Sequence, residues 1–486
     1  MTHWALQAAR DTILIVLAEV LARIANSILF VLLTWRLGEI EASRYTLGFT
    51  FALFLIQFSL GGIDQLLTRE VTKAPDRSDV FLGTFLLVRF FSSALLYVAL
   101  ILWIIGPFGY DRVTNQIVLI VGATFVPDSL TALFQAFLVA RNRVVYVTLF
   151  GAITGVTKLI LGFLAVISGG DALVVAFIIL ITSIFSLALH LLLVVHRFTR
   201  LSISFERKFI FVNARSELPL LIIAILTTLE GTIDAIMLSR RFGPLEVGVY
   251  AASALFLNAL MIVPTAFRQI VLPLITTQYI NQKEKAFDIY RQSVRTLLII
   301  TLLLSASLTI NADKIVPIIY SDYFSATIPV LQILIWSFVF TTLLVPGGRL
   351  ILAAGQQSAF VPLLIGSLSL NIVLNLILQP ALGAKGAAIA RVASSALMLV
   401  LSFVYVQRAI YRWNVAPVLI GPLNAILVML VVNAGLRWMG MHWIVALIIS
   451  WSVYAGALVT LRAVSATELR RLRDLLLQRI AQLTPP

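Results

Sequence analysis

The sequence predicts an all-α polytopic membrane protein. About fourteen transmembrane helices form two parallel, pseudo-twofold six-helix bundles, followed by two C-terminal helices and a C-terminal amphipathic helix. Three observations predict it. Of 486 residues 60% are hydrophobic and 12% charged, against about 25% charged in soluble domains. Apolar runs of about 20 residues, the length that crosses a bilayer, follow one another along nearly the whole chain. Finally, one phrase occurs twice: RLGEIEASRY at Arg36 to Tyr45 returns as RFGPLEVGVY at Arg241 to Tyr250.

Apolar windows bounded by Gly, Pro and charge clusters place spans near residues 11–35, 45–68, 80–106, 116–140, 146–168, 172–196, 216–239, 246–276, 292–312, 326–352, 358–379, 385–408, 416–436 and 443–462. The first run carries Glu19, Arg23 and Asn26 and lacks a small-residue cleavage site after it, so it reads as a retained helix rather than a signal peptide. Pro127, Pro264 and Pro346 fall inside apolar spans and are expected to bend them. From Ser465 to Leu483, leucines and Ile480 fall on one helical stripe with arginines opposite, the pattern of a helix lying on a membrane surface.

The basic residues set the orientation. With the N-terminus inside, 22 of the 36 Lys and Arg fall in cytoplasmic segments and 8 on the opposite side. Both termini are therefore expected in the cytoplasm, and the chain in a bacterial inner (plasma) membrane. The net charge of +14 is accounted for by this topology and by membrane lipids with anionic headgroups, which leaves no role for nucleic acid. There is no cysteine, so thiolate metal sites and cysteine nucleophiles are excluded. HExxH, GxSxG and Walker sequences are also absent, and the reading is of a protein that is not an enzyme, with no metal and no cofactor.

The two copies of the repeated phrase are offset by 205 residues, with Arg36, Gly38, Glu41 and Tyr45 matching Arg241, Gly243, Glu246 and Tyr250. Each joins the outer end of one span to the next, and six spans separate the equivalents. An even number gives both copies the same orientation, hence a parallel repeat with the substrate path between the bundles. A second echo sets Ser168 to Ile178 against Leu382 to Val392 at an offset of 214. The domains predicted are an N-terminal lobe over 1–200, a C-terminal lobe over 201–412, two additional helices over 413–464 and a cytoplasmic tail over 465–486.

Six basic residues remain within spans: Arg23, Arg89, Lys158, Arg268, Arg349 and Arg391. Each costs about 2.5 to 3.5 kcal/mol at a helix centre, so none is expected to face lipid. Arg89 and Arg349, near the cytoplasmic ends, are read as snorkelling or paired internally. The others, with Asn26, are candidates to line a cationic cavity that attracts phosphate oxygens. Glu19 lies four residues before Arg23 and either pairs with it throughout or releases it in one state. Glu230 and Asp234 are four apart on the seventh helix, where two carboxylates cannot both stay ionised at low dielectric, which suits a coupling H+ or Na+. A structural role for Asp234 stays open beside that reading, and Asp128 is a weaker coupling candidate.

Three stretches, Thr34 to Val71, Ile233 to Ile275 and Leu370 to Ser394, resemble the oligosaccharide (Wzx-type) flippases of the MOP superfamily, relatives of the lipid II flippase. Asn371, Asn375, Gly383, Gly386, Ala387 and Ala388 carry the most specific part of the likeness. Arg391 departs from the pattern, standing where the family usually has a small or hydroxyl residue. The resemblance implies a MATE/MOP-like pair of lobes, alternating access, and flipping of a polyprenyl-pyrophosphate-linked sugar toward the periplasm, with a polysaccharide polymerase complex as a possible partner. Two alternatives are weighed beside it. A MATE-type small-molecule or drug antiporter would want an anionic lumen. A membrane glycosyltransferase or polymerase would want a large outer loop carrying catalytic acids, whereas the outer loops here are short.

Overall fold

The computed structural model describes residues 3–60, 63–108, 110–198, 207–320, 324–461 and 463, with residues 3–27, 207–221 and a few others described by backbone path alone. Every regular element among them is helical. The first half comprises α1 (His3–Leu60), α2 (Ile63–Lys73), α3 (Ser78–Trp103), α4 (Arg112–Ala123), α5 (Phe125–Ala140), α6 (Val144–Ile167) and α7 (Ala172–Arg197). The second comprises α8 (Arg207–Phe242), α9 (Pro244–Leu260), α10 (Ile262–Asn281), α11 (Lys283–Tyr320), α12 (Thr327–Leu334), α13 (Trp336–Ala353), α14 (Phe360–Leu382) and α15 (Ala384–Ala409). Two more, α16 (Ala416–Trp438) and α17 (Trp443–Thr460), complete the chain. The amphipathic segment predicted from Ser465 onward lies outside the described residues.

Eleven helical stretches among the described residues are long and apolar enough to cross a membrane. The other three predicted spans lie on the two arms of α1 and on α8. The chain is thus a multi-pass membrane protein with an all-helical fold. Two of the predicted bends occur where proline dictates them. The ladder breaks at Thr124 and again at Met261, in each case three residues before a proline, Pro127 or Pro264. Proline has no N–H and its ring crowds the carbonyl of the preceding turn. Pro346, by contrast, stays within α13.

The repeated phrase has a repeated conformation. Gly38 (φ 81°, ψ 178°) turns α1 between its two arms, and Gly243 (φ 78°, ψ −168°) makes the same turn between α8 and α9. The left-handed φ favours glycine at both sites. After the turn, Glu41 pairs with Arg44, which also reaches Asp111 at 3.0 Å and Thr114 at 3.2 Å. Asp111 caps α4 through the Thr114 N–H. Burial works to raise the Asp111 carboxyl, but the Thr114 bonds and the Arg44 charge outweigh it and hold the carboxyl below its ordinary range. In the second copy Glu246 accepts the Ala384 N–H at 2.8 Å and so caps the start of α15. The second echo agrees, because Gly169 and Gly383 both have positive φ.

Ser43 and Gly248 occupy the same place in the two copies, and they touch each other. A Cβ built on Gly248 would lie 1.8 Å from Ser43 Oγ, 2.6 Å from its Cβ and 3.1 Å from its Cα. Residues related by a twofold rotation meet only at the axis, so the pseudo-twofold axis passes through this crossing of α1 and α9.

Packing divides the chain into two compact units. The first spans Met1–Ala266, Lys314–Leu334 and Gln357–Met398; the second spans Phe267–Asp313, Ile335–Gln356 and Leu399–Pro486. Within the first, α2, α3, α5 and α7 bury Leu67, Phe81, Phe85, Phe134 and Phe137 together, α1 packs on α4, α6 and α9, and α8 packs on α14. Within the second, α16 and α17 dock on α11. Tyr454 donates to the Ile299 carbonyl at 3.0 Å, Trp451 Nε1 to Ser307 Oγ at 2.9 Å, and Arg437 to the Ile310 carbonyl at 2.8 Å.

Candidate functional site

Four polar residues of α14 recur every four positions: Ser367, Asn371, Asn375 and Gln379. That spacing puts them on one helical face, and each is at most 2% exposed. The stripe meets α8 along Glu230 and Asp234, also four apart. Asp234 is completely buried and its carboxylate is surrounded by donors: Asn375 Nδ2 at 2.7 Å and Asn371 Nδ2 at 2.9 Å on Oδ1, and Tyr250 Oη at 2.9 Å on Oδ2. Gln379 donates to the Asp234 carbonyl at 3.1 Å and to Asn375 Oδ1 at 2.6 Å. Ser367 Oγ donates to Glu230 Oε1 at 2.8 Å. A carboxylate taken out of water this completely must be paired and hydrogen-bonded to be tolerated.

The charge partner is Arg391, on α15, whose Nη1 lies 3.9 Å from Asp234 Oδ2. That nitrogen is buried without a hydrogen bond of its own, so the attraction is coulombic and loose. Ser394, one turn further along α15, receives Asn371 Nδ2 at 3.3 Å. Glu230 also acts on Arg391 through its charge. The cluster therefore holds two carboxylates against one guanidinium. The fold thus sets Arg391 against the acidic pair.

A second candidate pair forms in the other half of this unit. Asp128 on α5 accepts hydrogen bonds from Thr124 and Ser183 and faces the charge of Lys158 on α6. Arg89, on α3, is fully buried and bonds Asp64 at 2.8 Å. Arg268 and Arg349 differ from all of these. Both belong to the second unit, and the nearby charge that bears on Arg349 is the like charge of Arg268. Among the described residues no carboxylate forms an ion pair with either. Glu19, Arg23 and Asn26 lie on α1, their side chains outside the described residues.

Tyr250 joins the buried network to a cavity of about 190 Å³ between the arms of α1, α8 and α9. Phe30, Tyr45, Phe49, Gly231, Tyr250 and Asn258 are among its walls. Tyr45 and Tyr250 are equivalents in the repeated phrase, so the cavity lies on the pseudo-twofold axis beside the Ser43–Gly248 contact. Its volume is below the range of about 300–1,000 Å³ usual for small-molecule sites.

Sequence reasoning brings out Glu230, Asp234, Asn371 and Asn375 but assigns no site role to Tyr250, Ser367, Gln379 or Ser394. For Ser367 and Gln379 the available signal is the four-residue polar period within an otherwise apolar span. Nothing local points to Tyr250 reaching back to Asp234.

Comparison with known proteins agrees with this architecture. No curated protein matches the sequence. Among solved structures, the lipid II flippase MurJ in an inward closed conformation superposes with a TM-score of 0.72 at 16% identity, covering 91% of this chain and 97% of that one. An inward-facing multidrug resistance MATE family transporter of the MOP superfamily superposes at 0.64 with 14% identity, covering 80% and 93%. A MOP superfamily transporter from Pyrococcus furiosus, whose binding pocket is described as of reverse polarity, superposes at 0.57 with 13% identity, covering 81% and 94%. The MatE family model matches residues 219–377. The model for polysaccharide biosynthesis proteins matches residues 8–279, more than half of the sequence, and the chain belongs to that family.

Proposed function

We propose that the protein is a flippase that carries a polyprenyl-pyrophosphate-linked oligosaccharide, the repeat unit of an O-antigen or exopolysaccharide, from the cytoplasmic to the periplasmic leaflet by alternating access. The observation that carries this reading is the contrast among the cations within spans. Arg89, Lys158 and Arg391 each face a carboxylate, whereas the side-chain charge that bears on Arg349 is the like charge of Arg268. Two guanidiniums brought together without an acid repel, and a diphosphate relieves that repulsion while offering oxygens that both forks can bond. Family membership and the likeness to a lipid II flippase support a lipid-linked substrate. The excess of basic residues in alternate loops supports cytoplasmic termini and a bacterial plasma membrane.

Coupling is proposed at the Glu230, Asp234 and Arg391 cluster. With both acids ionised it carries one uncompensated negative charge, which one proton or one sodium ion would cancel. Glu230 is the group to which that charge is assigned, because Asp234 is saturated by three donors whereas Glu230 has Ser367 as its side-chain hydrogen bond. A polysaccharide polymerase complex is the expected receiver of the flipped product. The MatE match over 219–377 favours one second reading, a small-molecule or drug antiporter. An organic cation, however, gains nothing from an arginine pair.

The test is flipping of radiolabelled polyprenyl-pyrophosphate-linked sugar into sealed vesicles containing the purified chain. Arg268→Gln and Arg349→Gln should each slow it roughly tenfold or more, the loss of one charge-assisted contact. Wild-type rates in both variants at normal protein levels would overturn the proposal.

A further inference from the structure

We infer that the groove between the ends of α8 and α14 binds the phosphate headgroup of an anionic membrane lipid, held by Arg240 and Arg241. The groove encloses about 380 Å³ and is lined by Met237, Arg240, Arg241, Asn375, Leu376, Gln379 and Pro380. Both arginines lie in the last turn of α8, and both are exposed. No carboxylate is part of the lining. Asn375 and Gln379, 1% and 2% exposed, form part of its floor. One wall is apolar and open, where Leu376 is 62% exposed.

These features together select the occupant. A cationic end suits a phosphodiester, and an apolar wall beside it suits the acyl chains of the same molecule. A snorkelling arginine would need neither the groove nor its apolar wall. The two copies of the repeat differ here: where the second copy has Arg240, the first has Trp35, whose Nε1 donates to the Ile319 carbonyl at 2.6 Å. The arginine pair thus arises from the sequence of one half, not from the shared fold.

The floor also links the groove to the buried network. Asn375 and Gln379 donate to Asp234 and to its carbonyl, so a headgroup resting on these amides bears on the residues that hold that carboxylate. Lipid bound here would stabilise the arrangement of α8 and α14 seen in this structure. This binding does not depend on which substrate the protein carries.

The experiment compares the full-length purified chain in neutral phosphatidylcholine and in mixtures with phosphatidylglycerol, reading retained lipid by native mass spectrometry and thermal stability by fluorescence. Phosphatidylglycerol should be retained in preference to phosphatidylcholine and should raise the melting temperature. Arg240→Gln/Arg241→Gln should lower that preference roughly tenfold or more, while Arg36→Gln, at the equivalent place in the first copy, leaves it unchanged. Full preference in the double variant overturns the inference, as does equal stabilisation by inorganic phosphate in phosphatidylcholine alone, which marks a site for a free anion. If the double variant does not accumulate, each single variant should lose part of the preference, and full preference in both overturns the inference.

Discussion

Replacing Asp234 by Asn keeps the shape of the side chain and removes the charge that Arg391 faces. In the native cluster the Asp234 carboxylate accepts hydrogen bonds of 2.7, 2.9 and 2.9 Å from Asn375, Asn371 and Tyr250, and lies 3.9 Å from the Arg391 guanidinium. The substituted amide presents an NH2 to a shell made of donors, so at least one contact becomes donor against donor. Glu230 still acts on Arg391 through its charge, so the cation is not left unanswered, and the cost is that of a buried polar contact left unmade, about 1–3 kcal/mol. The loss should appear as a lower melting temperature of the detergent-solubilised chain, followed by size-exclusion fluorescence after heating.

The decisive comparison is the double variant. Arg391→Gln alone leaves the buried Asp234 and the half-buried Glu230 without their cation and should also destabilise the chain. Asp234→Asn/Arg391→Gln removes one charge of each sign and restores the native excess of one negative charge. It should therefore be more stable than the two single effects added together, by about 1–3 kcal/mol of coupling. An additive double variant, or a fully stable Asp234→Asn, would refute the reading that Arg391 is the charge partner of this acid.

Two further outcomes rest on single close contacts. Gly248→Ala should destabilise the chain by about 1–3 kcal/mol, because the new methyl lies 3.1 Å from a backbone atom of Ser43 as well as against its side chain; Ser43→Gly in the same chain should recover part of the loss in the same heating assay, and a neutral Gly248→Ala would mean that the helices do not approach so closely. Glu230→Gln retains an acceptor for the Ser367 hydroxyl and so should leave folding intact while weakening the dependence of flipping on an imposed proton or sodium gradient. Unchanged dependence would place coupling elsewhere, with Asp128 and its Lys158 partner the next pair to test.

How much of the molecule is legible in the sequence depends on the range of the interaction. Apolar length, proline breaks and the two glycine turns are local properties of the chain, and they appear as helices, a break before Pro127 and before Pro264, and positive φ at Gly38 and Gly243. The Glu230 and Asp234 pairing on one face comes from helical period. The sign and partner of each buried charge do not, because they depend on which helices become neighbours. By sequence Lys158 and Arg391 are cations for a cavity, yet the fold sets Asp128 against one and Asp234 against the other. On Arg349, by sequence a paired or snorkelling residue, the charge that bears is the like charge of Arg268. All four belong to one class by sequence, residues that must not face lipid, and only the packing distinguishes those answered within the protein from those that are not.

The repeated phrase shows why even a strong local signal is incomplete. Its glycine and glutamate recur because each half must make the same turn and anchor a helix beyond it. Two copies related by a twofold rotation also bring one position of the phrase onto the axis, where the chain meets its own equivalent. At that position the requirement is not on either residue alone but on their sum. A side chain on one helix leaves room for none on the other, which is what Ser43 opposite Gly248 provides. Aligned as repeats, Ser43 and Gly248 look like an unremarkable mismatch, and the alignment discards them. In space the mismatch is the condition for the close crossing, and the crossing holds Tyr45 and Tyr250 on either side of the cavity. Because Tyr250 also bonds Asp234, one tyrosine of the repeated phrase belongs both to the cavity wall and to the buried network.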